Sequence, residues 1–157
     1  MSVRTPSRVH VFSWATRVSL ELPVGFVQAD EAPEINAAVY ADDLDADAPL
    51  GGRILVKAVP VPPGDEEAAG DLADVSAELP GRALEWRREI EVDGRDAVLQ
   101  LLRYRQEDLD VEVVRLEAYV PTGATVFSLT GLAPTHAADR YVPVFEQAFS
   151  TARLVLV

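Results

Sequence analysis

Between Arg17 and Glu21, apolar Val18 and Leu20 alternate with Arg17, Ser19 and Glu21, continuing to Leu22. This is the period-two pattern of a half-buried strand, and Pro23 with Gly25 ends it before Phe26. Segments 35–41 (INAAVYA) and 53–60 (RILVKAVP) read as two further strands joined by an acidic loop from Asp42 to Gly52. Asp65 is a candidate N-cap for a helix whose Glu66 and Glu67 suit its positive end. Ala68, Leu72, Val75 and Leu79 recur there at helical spacing, and Pro80-Gly81 stops the pattern.

Two hairpins follow. In residues 84–105 two strand patterns hinge on Asp93-Gly94, a dipeptide suited to the positive φ angles of a type I′ turn. Facing residues then have numbers summing to 187, so Trp86 meets Leu101 and Ile90 meets Ala97 on a drier face, while Arg87 meets Gln100 and Glu89 meets Val98 on the other. In residues 111–132 a turn at Thr122-Gly123 predicts a sum of 245. Leu116 would face Leu129 and Ala118 would face Phe127; the opposite face would pair Glu117 with Ser128 and Arg115 with Thr130. Thr135 is the candidate N-cap of a closing helix, with Ala138, Tyr141, Val142, Phe145, Ala148, Phe149 and Ala152 as its apolar stripe. Pro143 interrupts it and predicts either a kink near Asp139 or a short first turn before a helix starting around Tyr141. Residues 152–157 end the chain as a short strand or extended tail.

The order β-β-β-α-β-β-β-β-α, dominated by hairpins, implies an α+β fold with a predominantly antiparallel sheet flanked by helices. A chain of 157 residues without repeats or a low-complexity linker fits one domain, 1–157, with a core large enough to need no metal or disulfide staple. No apolar run approaches the roughly 18 residues of a membrane span, and residues 1–17 lack the apolar core of a secretory signal, so a cytoplasmic location is expected. The net charge of -12 opposes nucleic acid and anionic membranes, whose binding draws on clustered Lys and Arg. A basic protein face suits such a chain better. Residues 28–52 and 58–81 carry no Lys or Arg at all, which predicts a polarised surface.

Candidate chemistry is sparse. The absence of cysteine removes thiolate nucleophiles and cysteine-ligated metals, and His10 and His136 are the two histidines. Ser128, Thr130, His136, Asp139 and Arg140 fall within fifteen residues, but a relay needs Ser128 and His136 within about 3 Å, and the chain between them would have to double straight back with nothing left for a turn. The hydroxyls read instead as part of a polar sheet face. Asp43, Asp45 and Asp47 have the alternation of a calcium loop, yet Ala48 and Ile54 stand where that loop needs glycine and a bidentate glutamate. A solvated acidic loop with room for weak, nonspecific divalent binding is the simpler reading. No Gly-rich phosphate loop occurs. Arg87, Arg88, Arg103, Arg105 and Arg115 fall on adjacent strands as a candidate docking patch, with cross-strand pairing to nearby acids as the competing explanation.

Three stretches carry a resemblance: VSLELPVGF (18–26), VDGRDAVLQLLRY (92–104) and RYVPVFEQAFSTARL (140–154). In this order they resemble the opening strand, central hairpin and closing helix of the PsbP-like superfamily, the fold shared by the photosystem II subunit PsbP, the Ran-binding factor Mog and bacterial proteins of unknown function. The similarity covers about residues 17–155. It implies an α/β/α sandwich and protein-binding or chaperone-like roles, including bacterial adaptors that hold secretion effectors, without established catalysis. Abundant Ala and Val with Arg over Lys suggest a bacterial source.

The expectation is therefore a noncatalytic protein-binding or adaptor-like module without cofactor or metal, monomeric or dimeric through a sheet edge. Its partner would meet Asp42, Asp43, Asp45 and Asp47, or Arg87, Arg103, Arg105 and Arg115. The alternative is a small-ligand binder or enzyme using a cleft between sheet and helix.

Overall fold

The computed structural model describes residues 7–13, 16–28, 37–42 and 52–156. Its elements are β1 (Ser7–Ser13), β2 (Thr16–Leu22), β3 (Phe26–Gln28), β4 (Ala37–Asp42), β5 (Arg53–Pro60), α1 (Ala68–Ala77), β6 (Ala83–Val92), β7 (Arg95–Gln106), β8 (Val111–Pro121), β9 (Thr125–Pro134), α2 (Ala138–Ser150) and β10 (Arg153–Leu156). They build a seven-stranded sheet in the order β3-β4-β5-β9-β8-β7-β6 and a three-stranded sheet β1-β2-β10. Every strand pairing is antiparallel. The fold is α+β: α1 covers one face of the large sheet, and α2 with β2 covers the other.

Two sheets stand where the sequence suggested one. Proline breaks the first strand pattern at Pro23, where Phe26 N–H donates to the Pro23 carbonyl at 3.1 Å and Gly25 takes a φ of 97°. The chain thereby leaves the small sheet with β2 and enters the large one with β3. The final strand β10 pairs with β2, closing the small sheet on the side opposite β1.

Asp93-Gly94 adopts the left-handed pair, φ 50° and 76°, and the first hairpin takes the expected sum: Trp86 faces Leu101, Arg87 faces Gln100 and Ile90 faces Ala97. The second hairpin corrects the expected register. Thr122 and Thr125 close the turn through Thr122 N–H to the Thr125 carbonyl at 2.7 Å, so the loop is Gly123-Ala124 and facing numbers sum to 247. Glu117 faces Thr130, Leu116 faces Gly131 and Ala118 faces Leu129. Sliding the turn by one residue changes each partner by two, so every side chain keeps its predicted face.

On the α2 side, Tyr141, Phe145 and Phe149 form a stacked row with centroids 5.7 and 6.4 Å apart, and Phe26 meets Phe145 edge-on. They pack into one core with Val18, Leu20, Ile54, Val56, Leu116 and Leu129. Gly131 is required there: a Cβ at that position would strike the Phe145 ring. The helix begins at Ala138, preceded by a 3₁₀ turn over Thr135–Ala137, with Pro143 on its exposed side. This is the short-first-turn solution, started three residues earlier than expected. Thr135 does not cap the helix; its buried hydroxyl has no hydrogen-bond partner among the described residues.

α1 also departs from expectation. The Pro62–Gly64 turn is closed by Asp65 N–H to the Pro62 carbonyl, and the Asp65 carboxylate accepts from Glu67 N–H at 3.1 Å, one turn ahead of the helix proper. The buried stripe is Ala69, Ala73 and Ser76 with Ala68, whereas Val75 and Leu79 are 62% and 44% exposed. The sheet beneath is mixed: the alanines and Leu72 pack with Tyr119, Val126 and Val98, while Ser76 and the Ala73 carbonyl meet Glu117 and Gln100.

Candidate functional site

Alternation along β8 puts Arg115, Glu117 and Tyr119 on the α1 side of the sheet, since Leu116 and Ala118 belong to the opposite core. Glu117 has no exposed surface. One carboxylate oxygen accepts from Ser76 Oγ (2.8 Å), Arg115 Nε (2.8 Å) and the Tyr119 hydroxyl (2.9 Å); the other accepts from Gln100 Nε2 (2.8 Å). Gln100 also donates to the Ala73 carbonyl and accepts from Arg87 Nε and Nη2 at 3.0 and 2.7 Å. Arg82 Nη1 completes the set on Ser76 Oγ at 2.8 Å. Cross-strand register makes this a ladder running Leu55, Thr130, Glu117, Gln100, Arg87 across five strands.

Burial alone would raise the Glu117 pKa. The charge and hydrogen bond of Arg115, with Gln100 and Ser76, outweigh it and hold the carboxyl below the usual glutamate range. Burial likewise pushes the Tyr119 phenol upward, and the Glu117 charge adds to it, so Tyr119 serves as a donor and not as a base. The cluster therefore ties α1 to the sheet. Its carboxylate is a charge already occupied by four donors and sealed under a helix, which leaves no lone pair presented to a substrate.

Beside this cluster, where α1 leaves β6 uncovered, lies a hollow of about 460 Å³ between the helix and strands β6 and β7. Six carboxylates line it, from Glu66, Glu67, Asp71, Asp74, Glu89 and Asp96, against the single guanidinium of Arg87. That guanidinium is held by Asp74 at 2.6 Å and by Gln100. Past Glu66 and Asp96 the hollow continues into another of about 630 Å³ that adds Asp65 and Arg95. On the other side of the molecule a mostly apolar groove of about 350 Å³ runs between the end of β2 and α2, lined by Leu22, Pro23, Pro143 and Val144.

The arginines singled out in the sequence do not assemble into one patch. Arg103 bonds Glu85 at 2.8 Å and reaches Glu112 at 3.3 Å, and Arg105 pairs with Asp110. Arg115 is committed to Glu117, and Arg88 lies over the Trp86 ring at 3.9 Å with Glu146 at 3.7 Å. Arg87 alone of the proposed set enters the acidic hollow. Asp42 ends β4, where its backbone pairs with Phe26; Asp43, Asp45 and Asp47 lie outside the described residues. Ser128 and Thr130 meet each other at 3.4 Å on the polar face, and His136 is exposed in the 3₁₀ turn. Sequence reasoning missed the hollow because its acids come from residues 66–74 and 89–96, which no local motif joins.

No protein-family model and no curated protein matches the chain. Solved structures do. LpqN of Mycobacterium tuberculosis, described as involved in cell envelope biogenesis, superposes with a TM-score of 0.71 at 13% identity, covering 95% of this chain and 91% of that one. The solution structure of cyanobacterial PsbP from Synechocystis matches with a TM-score of 0.69 at 13% identity, covering 98% and 95%. This chain has the PsbP-like fold. A Pseudomonas aeruginosa protein of unknown function, described as a putative regulator, shares the fold at a TM-score of 0.59 and 20% identity, covering 85% and 88%. Among the described residues no helix is long and apolar enough to cross a membrane, and no group of acids or histidines is placed to hold a metal ion.

Proposed function

We propose that this PsbP-like chain is a noncatalytic, adaptor-like protein-binding module that engages a basic segment of its partner through the hollow beside α1. The supporting observation is the charge of that hollow: six carboxylates face one arginine, whose charge Asp74 already offsets. Such a surface speeds encounter with cations and rejects phosphate-rich partners. The best-connected polar cluster favours the noncatalytic part of the reading, because Glu117 is engaged by Ser76, Gln100, Arg115 and Tyr119 beneath a helix. A bacterial source suits the Arg-over-Lys composition and the bacterial sources of the structures it resembles. A second reading, a binder of small apolar molecules, draws on the groove between Leu22, Pro23 and Val144.

The test is fluorescence anisotropy with a labelled twelve-residue Lys/Arg-rich peptide at low and physiological salt. Replacing Glu66, Glu67 and Glu89 by glutamine should weaken binding about tenfold, as three lost surface charge pairs would. Replacing Glu107, Asp108 and Asp139, which carry the same charge outside the hollow, should leave it nearly unchanged. Equal losses in both triple variants would reduce the interaction to net charge and sink the assignment.

A further inference from the structure

We propose that β6 is the docking edge of the molecule, taking an extended basic segment of the partner as an eighth strand of the large sheet; this rests on the protein-binding reading above and names its mode. β6 is an outer strand and runs ten residues, against seven for β1, four for β10 and three for β3, the other outer strands. An outer strand presents a row of unpaired N–H and C=O groups, a template for another chain.

Which groups face outward follows from the turn. In a two-residue I′ hairpin the flanking residues, Val92 and Arg95, exchange both backbone hydrogen bonds, and bonded pairs then alternate along the ladder. Ile90 and Arg88 are thus bonded inward to β7, while the backbone groups of Glu91, Glu89 and Arg87 point away from the sheet. A register shift between Leu84 and Trp86 ends the regular run at that side. The usable edge is therefore Trp86–Val92.

The side chains of Glu89 and Arg87 line the acidic hollow, and Glu91 shares their face. An incoming strand places its own residues opposite these at cross-strand distance, so lysine or arginine opposite Glu89 and Glu91 is the complement. On the other face Trp86 and Ile90 are half-buried, and the intervening partner residues would rest beside them. The preferred segment alternates basic and apolar residues. A second copy of this chain is a poorer occupant, because a two-fold register about Glu89 sets that glutamate against its own copy and brings together two molecules each of net charge -12. The charges that guard this edge against self-pairing are the ones that select a basic strand.

The probe is a capped peptide Lys-Val-Lys-Val-Thr-Val, compared with the same peptide N-methylated at both lysines, which keeps the charges and removes the N–H groups that would bond to Glu89 and Glu91. Hydrogen exchange of the intact protein is read at the amides of Arg87, Glu89 and Glu91, with affinity measured in parallel. The expected result is about tenfold slower exchange at those amides and about tenfold weaker binding after methylation. If both peptides bind equally and the three amides stay unprotected, strand addition is overturned while the acidic docking reading stands. If neither binds at low salt, both are overturned. Protection that rises with protein concentration in the absence of peptide overturns the proposal in favour of self-pairing.

Discussion

The two faces of the large sheet are each covered by one helix, and by opposite means. α2 lays three stacked aromatic rings on aliphatic side chains, a contact without direction whose strength follows the area removed from water. α1 lays alanines on a small apolar cluster with Tyr119 and Val126 and sets Ser76 on a buried carboxylate that accepts four hydrogen bonds, a directional contact that depends on each donor and the charge being in place. The apolar face is held by close fit of the rings over Gly131 and Gly52; the polar face fixes one position of α1 through directed bonds and with it the wall of the acidic hollow. The first face supplies stability and the second supplies shape.

The largest effect that would break this contrast is on the apolar side. Phe145 has no exposed surface and touches Phe26, Tyr141 and Phe149 through its ring, so Phe145→Ala should cost about 3 to 5 kcal/mol in urea unfolding. A loss below about 2 kcal/mol would mean that the site collapses easily and the row is not the centre of the core.

Glu117→Gln comes next, at about 3 kcal/mol, because it leaves Arg115 at 22% exposure without its counter-charge and sets an amide NH2, itself a double donor, among four donors. Unlike the aromatic variant, it should speed hydrogen exchange in Ala73–Ala77 before the strands respond, since the helix loses its anchor and the sheet does not. Its pH dependence has a definite sign. The folded pKa of Glu117 lies below its ordinary value of 4.5, so its contribution is complete above about that pH and is lost as pH falls through the lower folded value. The gap between wild type and variant should thus narrow from pH 6 toward pH 3. A gap constant across that range would contradict a charged Glu117 as the anchor.

The apolar face was largely legible in the chain. Tyr141, Phe145 and Phe149 recur at i, i+4, i+8, and Asp93-Gly94 admits few backbone conformations other than the one found. The Gly123-Ala124 turn was misplaced by one because Thr122-Gly123 offers an equally good local signal, yet the side-chain faces survived, since pairing parity depends on alternation alone. The polar face was only half legible. Arg115, Glu117 and Tyr119 alternate as a solvated strand face would, and nothing within β8 announces that a helix from residues 68–77 seals it. Half of the expected stripe holds, since Ala68 and Leu72 pack against the sheet, whereas Val75 and Leu79 are exposed, because the floor beneath the end of the helix carries a carboxylate and a carboxamide that Ser76 and the Ala73 carbonyl meet.

That misreading yields the mildest and sharpest comparison. Val75 was expected in the interface and is 62% exposed, one residue before the buried Ser76 that bonds Glu117. Val75→Lys should therefore shift stability by no more than about 0.5 kcal/mol, the range for surface sites away from special contacts. The sign should be toward stabilisation, because lysine is the better helix former, while the dipole gain is small since Arg82 already donates to the Ser76 carbonyl at 3.2 Å at that end. Thermal and urea unfolding of the variant check this directly. A loss above about 1 kcal/mol would put Val75 against the sheet, rotate Ser76 away from Glu117, and remove the distinction between the two faces.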